Sequence, residues 1–89
     1  MPTIDIHGKQ VHVEEGSQSA HFAAEYLKNN PENAEAFFDE AHLHYKAGGG
    51  FTHFVVPKTN SYKDVGVVHH MSLLHNLDGS YTLKKRDGY

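Results

Sequence analysis

The chain of 89 residues contains nine histidines and no cysteine. Histidine changes charge near neutral pH, and its imidazole nitrogens bind transition metals. Without cysteine, this sequence offers no disulfides, thiolate nucleophiles or cysteine-based zinc sites. The histidines are dispersed along the chain rather than grouped as a tag: His7, His12, His21, His42, His44, His53, His69, His70 and His75. The histidines could serve one of four roles: metal binding, acid–base chemistry, a pH response, or no chemical role. Their positions in the fold are used to choose among these roles.

The most coherent metal candidate lies at the N-terminus. Two short segments there alternate apolar and polar residues, and Gly8-Lys9 between them suits a two-residue hairpin turn. In that register Asp5 lies directly across from His12, with His7 on the diagonal. One carboxylate and two imidazoles are ligands suited to zinc, copper or nickel. The sequence therefore predicts Asp5, His7 and His12 as the ligands if the protein holds a metal.

Two other histidine pairs are close in sequence but not in direction. His42 and His44 fall within a predicted helix, where two residues turn by about 200°, so they flank its apolar stripe on opposite sides. His69 and His70 are neighbours on a predicted strand and point to opposite faces of the sheet. Neither pair is expected to chelate one ion.

The elements that must position these residues begin with the N-terminal hairpin. Ser17 is a candidate N-cap for a first helix, and Asn30 caps a second helix with Pro31 at its first position. Apolar residues then recur at helical spacing until Gly48-Gly49-Gly50 ends the second helix.

The remaining sequence predicts three strands. Two of them cover residues 51–56 and 65–77, and the Asp78-Gly79 turn leads into a third over 80–86. The order β-β-α-α-β-β-β predicts an α+β fold, with an antiparallel sheet and two helices packed on one face. Residues 1–89 are expected to form a single domain.

Composition limits the functional classes. The chain is 38% hydrophobic with five Phe and five Tyr, which is typical of a folded protein. The net charge is −3 and the main basic cluster is Lys84, Lys85 and Arg86, so binding of nucleic acid is not expected. The sequence has neither an apolar run of membrane-spanning length nor a leader pattern. We therefore expect a cytoplasmic protein without a membrane partner.

Both faces of the strands predicted over 51–56 and 65–77 carry apolar residues. Two short helices cover one face of a sheet, and a second copy of the chain is the simplest cover for the other. The alternative within one chain is that the N-terminal hairpin folds over that face. The sequence thus predicts a homodimer joined through the sheet, with another protein as the alternative partner. On this hypothesis Val55→Glu or Met71→Glu gives a folded monomer.

The function expected from these features is that of a small binding or regulatory module rather than an enzyme. The polar loop over 57–64 offers an aromatic residue flanked by cations, so Lys58, Tyr62 and Lys63 are the predicted binding residues. A histidine-based metal-binding protein is one alternative.

A second alternative comes from topology. Apart from the first hairpin, the element order resembles that of the small ribonuclease toxins of toxin–antitoxin systems. The resemblance implies acid–base residues on the last strands of the sheet, where the candidates for base, acid and phosphate contacts are His53, His70, Tyr81, Lys84 and Arg86. The net negative charge opposes the approach of RNA.

Overall fold

The computed structural model describes residues 2–57 and 68–88. Its elements in chain order are β1 (Thr3–Ile6), β2 (Lys9–Val13), α1 (Gln18–Asn29), α2 (Pro31–Lys46), β3 (Phe51–Pro57), β4 (Val68–His75) and β5 (Tyr81–Lys85). The α+β class and the element order are confirmed. The predicted binding residues Lys58, Tyr62 and Lys63 lie outside the described residues, as does the beginning of the strand predicted over 65–77.

The five strands form one mixed sheet in the order β1-β2-β5-β4-β3. Three neighbouring pairs are antiparallel, but β2 and β5 run parallel, with Val11 opposite Tyr81. The prediction of a purely antiparallel sheet is therefore wrong. The chain leaves β2, passes through both helices and the β3–β4 hairpin, and returns in β5 beside β2 and in the same direction. The alternation of apolar and polar residues within β2 does not indicate that its neighbour in the sheet is β5, which is distant in sequence.

Both helices pack on one face of this sheet, as predicted, and a single apolar core lies between the layers. The ring of Phe37 on α2 stacks on Phe54 of β3, with centroids 4.4 Å apart. Burying a side chain the size of Leu or Ile contributes about 1.5–3 kcal/mol. The largest fully buried side chains are Ile6, Val11, Val13, Leu27, Val56, Met71, Leu73 and Leu83.

The helix boundaries follow local chemistry. The Ser17 hydroxyl accepts a hydrogen bond from the Ala20 backbone N–H at 3.1 Å, which confirms it as the N-cap of α1. Pro31 occupies the first turn of α2 as predicted. Asn30 makes no side-chain cap to α2. Instead, its amide nitrogen donates to the Tyr26 carbonyl oxygen at 2.8 Å and satisfies the end of α1.

The sheet face opposite the helices, which we name the open face, carries the alternate residues of each strand. On β3 these include Phe51 and Val55, which are 46% and 49% exposed. Met71 points to the helix side and is fully buried. The expectation that Met71→Glu gives a folded monomer is therefore wrong, because a carboxylate there would disrupt the core. Val55 is the suitable position for that test.

Candidate functional site

Strand pairing arranges the side chains of the open face in rows across β3, β4 and β5. His53 pairs with Ser72, and Ser72 pairs with Lys84. In the next row, the Arg86 backbone N–H donates to the carbonyl oxygen of His70 at 3.0 Å. Side chains opposite one another on neighbouring antiparallel strands have Cβ atoms about 4.5–5.5 Å apart. The sheet thus brings together polar and charged residues that are far apart in sequence.

These rows line a groove of about 250 Å³, which we name the open-face groove. Phe51 and Leu74, which pair across β3 and β4, form its apolar part. The Phe51 ring lies 5.1 Å from the ring of His53, centroid to centroid. The groove therefore combines an apolar wall with nitrogen-bearing side chains. Its lining residues are Phe51, His53, Ser72, Leu74, Lys84, Arg86 and Asp87.

The groove is lined by more cationic than anionic side chains among the described residues. Lys84 Nζ lies 3.6 Å from Asp87 Oδ2, and the Asp87 side chain is 92% exposed. An ion pair this exposed contributes little and yields readily to a better partner. Among the described residues that line the groove, Lys84 and Arg86 outnumber the Asp87 carboxylate, so this part of the lining carries a net positive charge.

His53 responds to this surrounding charge. Burial lowers the pKa of His53 below its usual value of 6.5, Arg86 and Lys84 lower it further, and Asp87 opposes them. These surroundings favour the neutral imidazole, and negative charge placed in the groove would favour the protonated form.

The structure changes the register of the predicted metal site. Asp5 pairs with Gln10 and Thr3 pairs with His12, so the expectation that Asp5 lies across from His12 is wrong. The Thr3 hydroxyl lies 2.7 Å from His12 Nδ1, and Asp5 Oδ1 accepts the Gly8 backbone N–H at 2.8 Å. Asp5 and His12 still share the open face, but each side chain has a local hydrogen-bond partner.

His7 is turned away from the other two predicted ligands. It lies in the β1–β2 turn, where its Nε2–H donates to the Leu27 carbonyl oxygen in the last turn of α1, at 3.1 Å. This bond satisfies a helix carbonyl that lacks an intrahelical partner. In the part of the chain that the structure describes, no three or more His, Asp and Glu side chains are grouped to hold a metal ion. Asp5, His7 and His12 are thus not brought together.

A second histidine cluster lies where α2 meets the end of β4. His42 Nδ1 is 3.1 Å from His75 Nε2, and the His75 ring stacks on Tyr45 with centroids 4.1 Å apart. Among the described residues, the buried His75 Nδ1 has no hydrogen-bond partner. A buried N–H without an acceptor would cost free energy at Nδ1, which favours the tautomer with the proton on Nε2 and His42 Nδ1 as its acceptor.

The same argument disfavours a metal between these two rings. A metal on His75 Nε2 would move the proton to Nδ1, where a buried N–H would lack an acceptor. His44 is directed elsewhere, since its Nδ1 lies 2.6 Å from the Phe51 carbonyl oxygen. The separation of His42 from His44 agrees with their predicted helical positions.

Only part of the ribonuclease-like set converges. His53, Lys84 and Arg86 line the open-face groove, and His70 lies on the same face opposite Val55. Tyr81 instead packs under the helices, with its ring 4.7 Å from that of Phe38. Burial and then Asp39 raise the pKa of Tyr81, which makes this phenol a poor proton donor. RNA cleavage stays a prediction, without support from Tyr81.

Sequence patterns did not identify the groove itself. Phe51, Ser72, Leu74 and Asp87 carry no motif, and they meet the basic residues only through the pairing of β3, β4 and β5. The one available signal was the position of Lys84 and Arg86 on alternate residues near the end of a strand, which places them on one face.

Comparisons of the chain with models of protein families, with curated proteins and with solved structures found no match. Within residues 2–57 and 68–88, neither helix is long and apolar enough to span a membrane. The predicted cytoplasmic location stays a prediction.

Proposed function

We propose that this protein is a binding module that recognises an anionic ligand in the open-face groove. The observation that carries the proposal is the convergence of His53, Lys84 and Arg86 beside the exposed ring of Phe51. Of the described lining residues, two are cations and one is a carboxylate, although the whole chain has a net charge of −3. A local positive field of this kind concentrates anions at the groove and speeds their association.

Backbone pairing supports recognition at this position. His53, Ser72 and Lys84 lie on three hydrogen-bonded strands, so the sheet holds their Cα atoms in place before a ligand arrives. Preorganisation of this kind reduces the entropy lost on binding. Binding is proposed rather than catalysis because Tyr81, one of the residues considered for acid–base chemistry, packs under the helices on the opposite face of the sheet.

The proposal is tested by titrating ¹⁵N-labelled protein with sulfate, phosphate and benzoate and following backbone amide shifts. We expect the largest shifts on the strands around His53, Ser72 and Lys84. The double variant Lys84→Gln/Arg86→Gln should weaken anion binding by at least about tenfold, because a hydrogen bond to a charged group contributes about 1.5–3 kcal/mol.

A matched control removes the same number of positive charges from the helices. Lys28 and Lys46 are exposed on α1 and α2, and Lys28→Gln/Lys46→Gln should leave the affinity within about twofold of the wild type because surface charges on the far side are screened. Equal weakening by both double variants, or amide shifts centred on the helices, would contradict the proposal.

A homodimer through the open face stays a prediction and is the alternative to an accessible anion site, because a second copy on this face would cover the groove. Val55 is 49% exposed on the edge strand β3, so Val55→Glu should not disturb the core. On this alternative, native mass spectrometry finds a dimer for the wild type and a folded monomer for Val55→Glu. A monomeric wild type, or a variant that stays dimeric, would exclude this interface.

A further inference from the structure

Resting on the proposed function, we infer that the open-face groove selects a phosphate monoester carried on a single ring. Three features of the described residues lead to this ligand class: the charge of the groove, the spacing of its donors across the sheet, and its apolar end.

The charge of the groove matches a dianion better than a monoanion. Lys84 and Arg86 carry fixed positive charge against the Asp87 carboxylate, and His53 gains a second net charge when it is protonated. A phosphate monoester carries about −1.5 to −2 at pH 7 and has three strong acceptor oxygens, whereas a carboxylate carries −1 and has two. A bound monoester therefore stabilises the protonated form of His53 more than a bound carboxylate does.

The donors are spaced for a tetrahedral anion. Ser72 lies between His53 and Lys84 in one row, and neighbouring strands are about 4.8 Å apart, so the two flanking strands are about 10 Å apart. Ser72 is 3% exposed and lines the floor of the groove. A phosphate above Ser72 can accept its hydroxyl while His53 and Lys84 approach from either side. Arg86 reaches the same anion from the next row.

The other end of the groove suits a ring. Phe51 exposes 46% of its surface, and Leu74 lies opposite it on β4. Offset stacking on an aromatic side chain contributes about 0.5–1.5 kcal/mol beyond the area buried. The groove of about 250 Å³ has room for a ring beside a phosphate group.

Isothermal titration calorimetry with phenyl phosphate, inorganic phosphate and benzoate tests the inference. We expect phenyl phosphate to bind at least about tenfold more tightly than benzoate, which has the same ring with a carboxylate. Ser72→Ala should weaken phenyl phosphate and inorganic phosphate alike, by about tenfold. Phe51→Ala should weaken phenyl phosphate and leave inorganic phosphate unchanged. Melting curves check that both variants are folded, and Leu77→Ala, at a 90% exposed site, is the control.

The outcomes separate this inference from the proposed function. Benzoate binding as tightly as phenyl phosphate overturns the phosphate class and leaves an anion-binding groove. An unchanged phosphate affinity in folded Ser72→Ala also overturns it, whereas absence of binding by every anion overturns both. Phosphotyrosine and ribose 5-phosphate, each with one ring, then distinguish an aromatic from a sugar carrier of the same chemistry. Tighter binding of either than of phenyl phosphate supports the class and identifies its carrier.

Discussion

Leu83→Ala is expected to lower the free energy of unfolding by about 2–5 kcal/mol. Leu83 is fully buried on β5, the middle strand of the sheet, between Val13 on β2 and Leu73 on β4. Helix α1 packs over this strand, so the neighbours are held on several sides and cannot collapse into the space that the truncated side chain leaves. The loss thus includes both the transfer free energy of the removed atoms and the cavity.

The control for this prediction is the same substitution at an exposed leucine. Leu77 is 90% exposed in the β4–β5 connection, and Leu77→Ala should change the free energy of unfolding by less than about 0.5 kcal/mol. Urea denaturation with an unchanged slope measures both differences. If the two variants were equally stable, β5 would not occupy the centre of the sheet, and the parallel pairing with β2 would be wrong.

The N-terminal hairpin shows how far alternation predicts structure. Ile6, Val11 and Val13, which alternate with polar residues along the two strands, all lie in the core. The turn, however, is His7-Gly8 rather than Gly8-Lys9, with positive φ at both residues (51° and 85°), as a type I′ turn requires. The register moved by two residues, which keeps every side chain on its face but changes its partner across the strands. For that reason the sequence predicted the sheet face of each hairpin residue but not the residue opposite Asp5, on which the predicted metal site depended.

The β4–β5 connection decides the composition of the groove in the same way. A two-residue turn at Asp78-Gly79 would pair Leu77 with Ser80. Instead, His75 pairs with Tyr81, and Gly79 closes a longer turn with φ of 90°. A difference of one residue in register exchanges the two faces of β5, and here it places Lys84 beside Ser72 on the open face. An Asp-Gly pair alone does not determine how many residues the turn contains, so it does not determine the register of the two strands.

Folding gives the dispersed histidines separate environments. The ring of His69 packs against Phe22 of α1, whereas His70 faces the open side opposite Val55, which agrees with the opposite directions predicted for neighbours on a strand. His42 and His75, which are 33 residues apart, approach each other only through the packing of α2 on the sheet. Local geometry predicted which histidines lie apart, but the partners of His53 depend on long-range strand order.

The affinity of the open-face groove for sulfate is expected to rise on the order of tenfold as the pH falls from about 7.5 to about 5.5, a range that includes the ordinary pKa of histidine. Sulfate keeps its charge over this range, so the change belongs to the protein. Burial, and then Arg86 and Lys84, lower the pKa of His53 in the free protein. A bound dianion offsets both cations and favours the protonated imidazole, so binding takes up a proton. A rise in pKa of one unit on binding corresponds to a tenfold gain in affinity.

The lowered pKa of His53 also makes the free energy of unfolding depend on pH in the absence of a ligand. As the pH falls, His53 in the unfolded chain is protonated before His53 in the folded protein, because only the folded environment disfavours its charge. The unfolded state then binds more protons, so the stability associated with His53 is fully present above about pH 6.5 and is lost as the pH falls through the folded pKa. Sulfate should reduce this loss, because it favours the charged imidazole in the folded state.

The variant His53→Asn distinguishes this coupling from a general response to acid. Among the described residues, the other charged or titratable groups near His53 are Asp87 in the groove, Glu40 and His44 in the adjoining cleft at the edge of β3, and His70 in the next row of the open face. Glu40 accepts the Thr52 hydroxyl at 2.7 Å, which directs its carboxylate toward β3. In His53→Asn the sulfate affinity should become nearly independent of pH, whereas His21→Asn, at an exposed site on α1, should keep the wild-type profile. Calorimetry in two buffers of different ionisation enthalpy measures the proton uptake directly. A wild-type profile in His53→Asn would assign the titration to another group and remove His53 from the anion site.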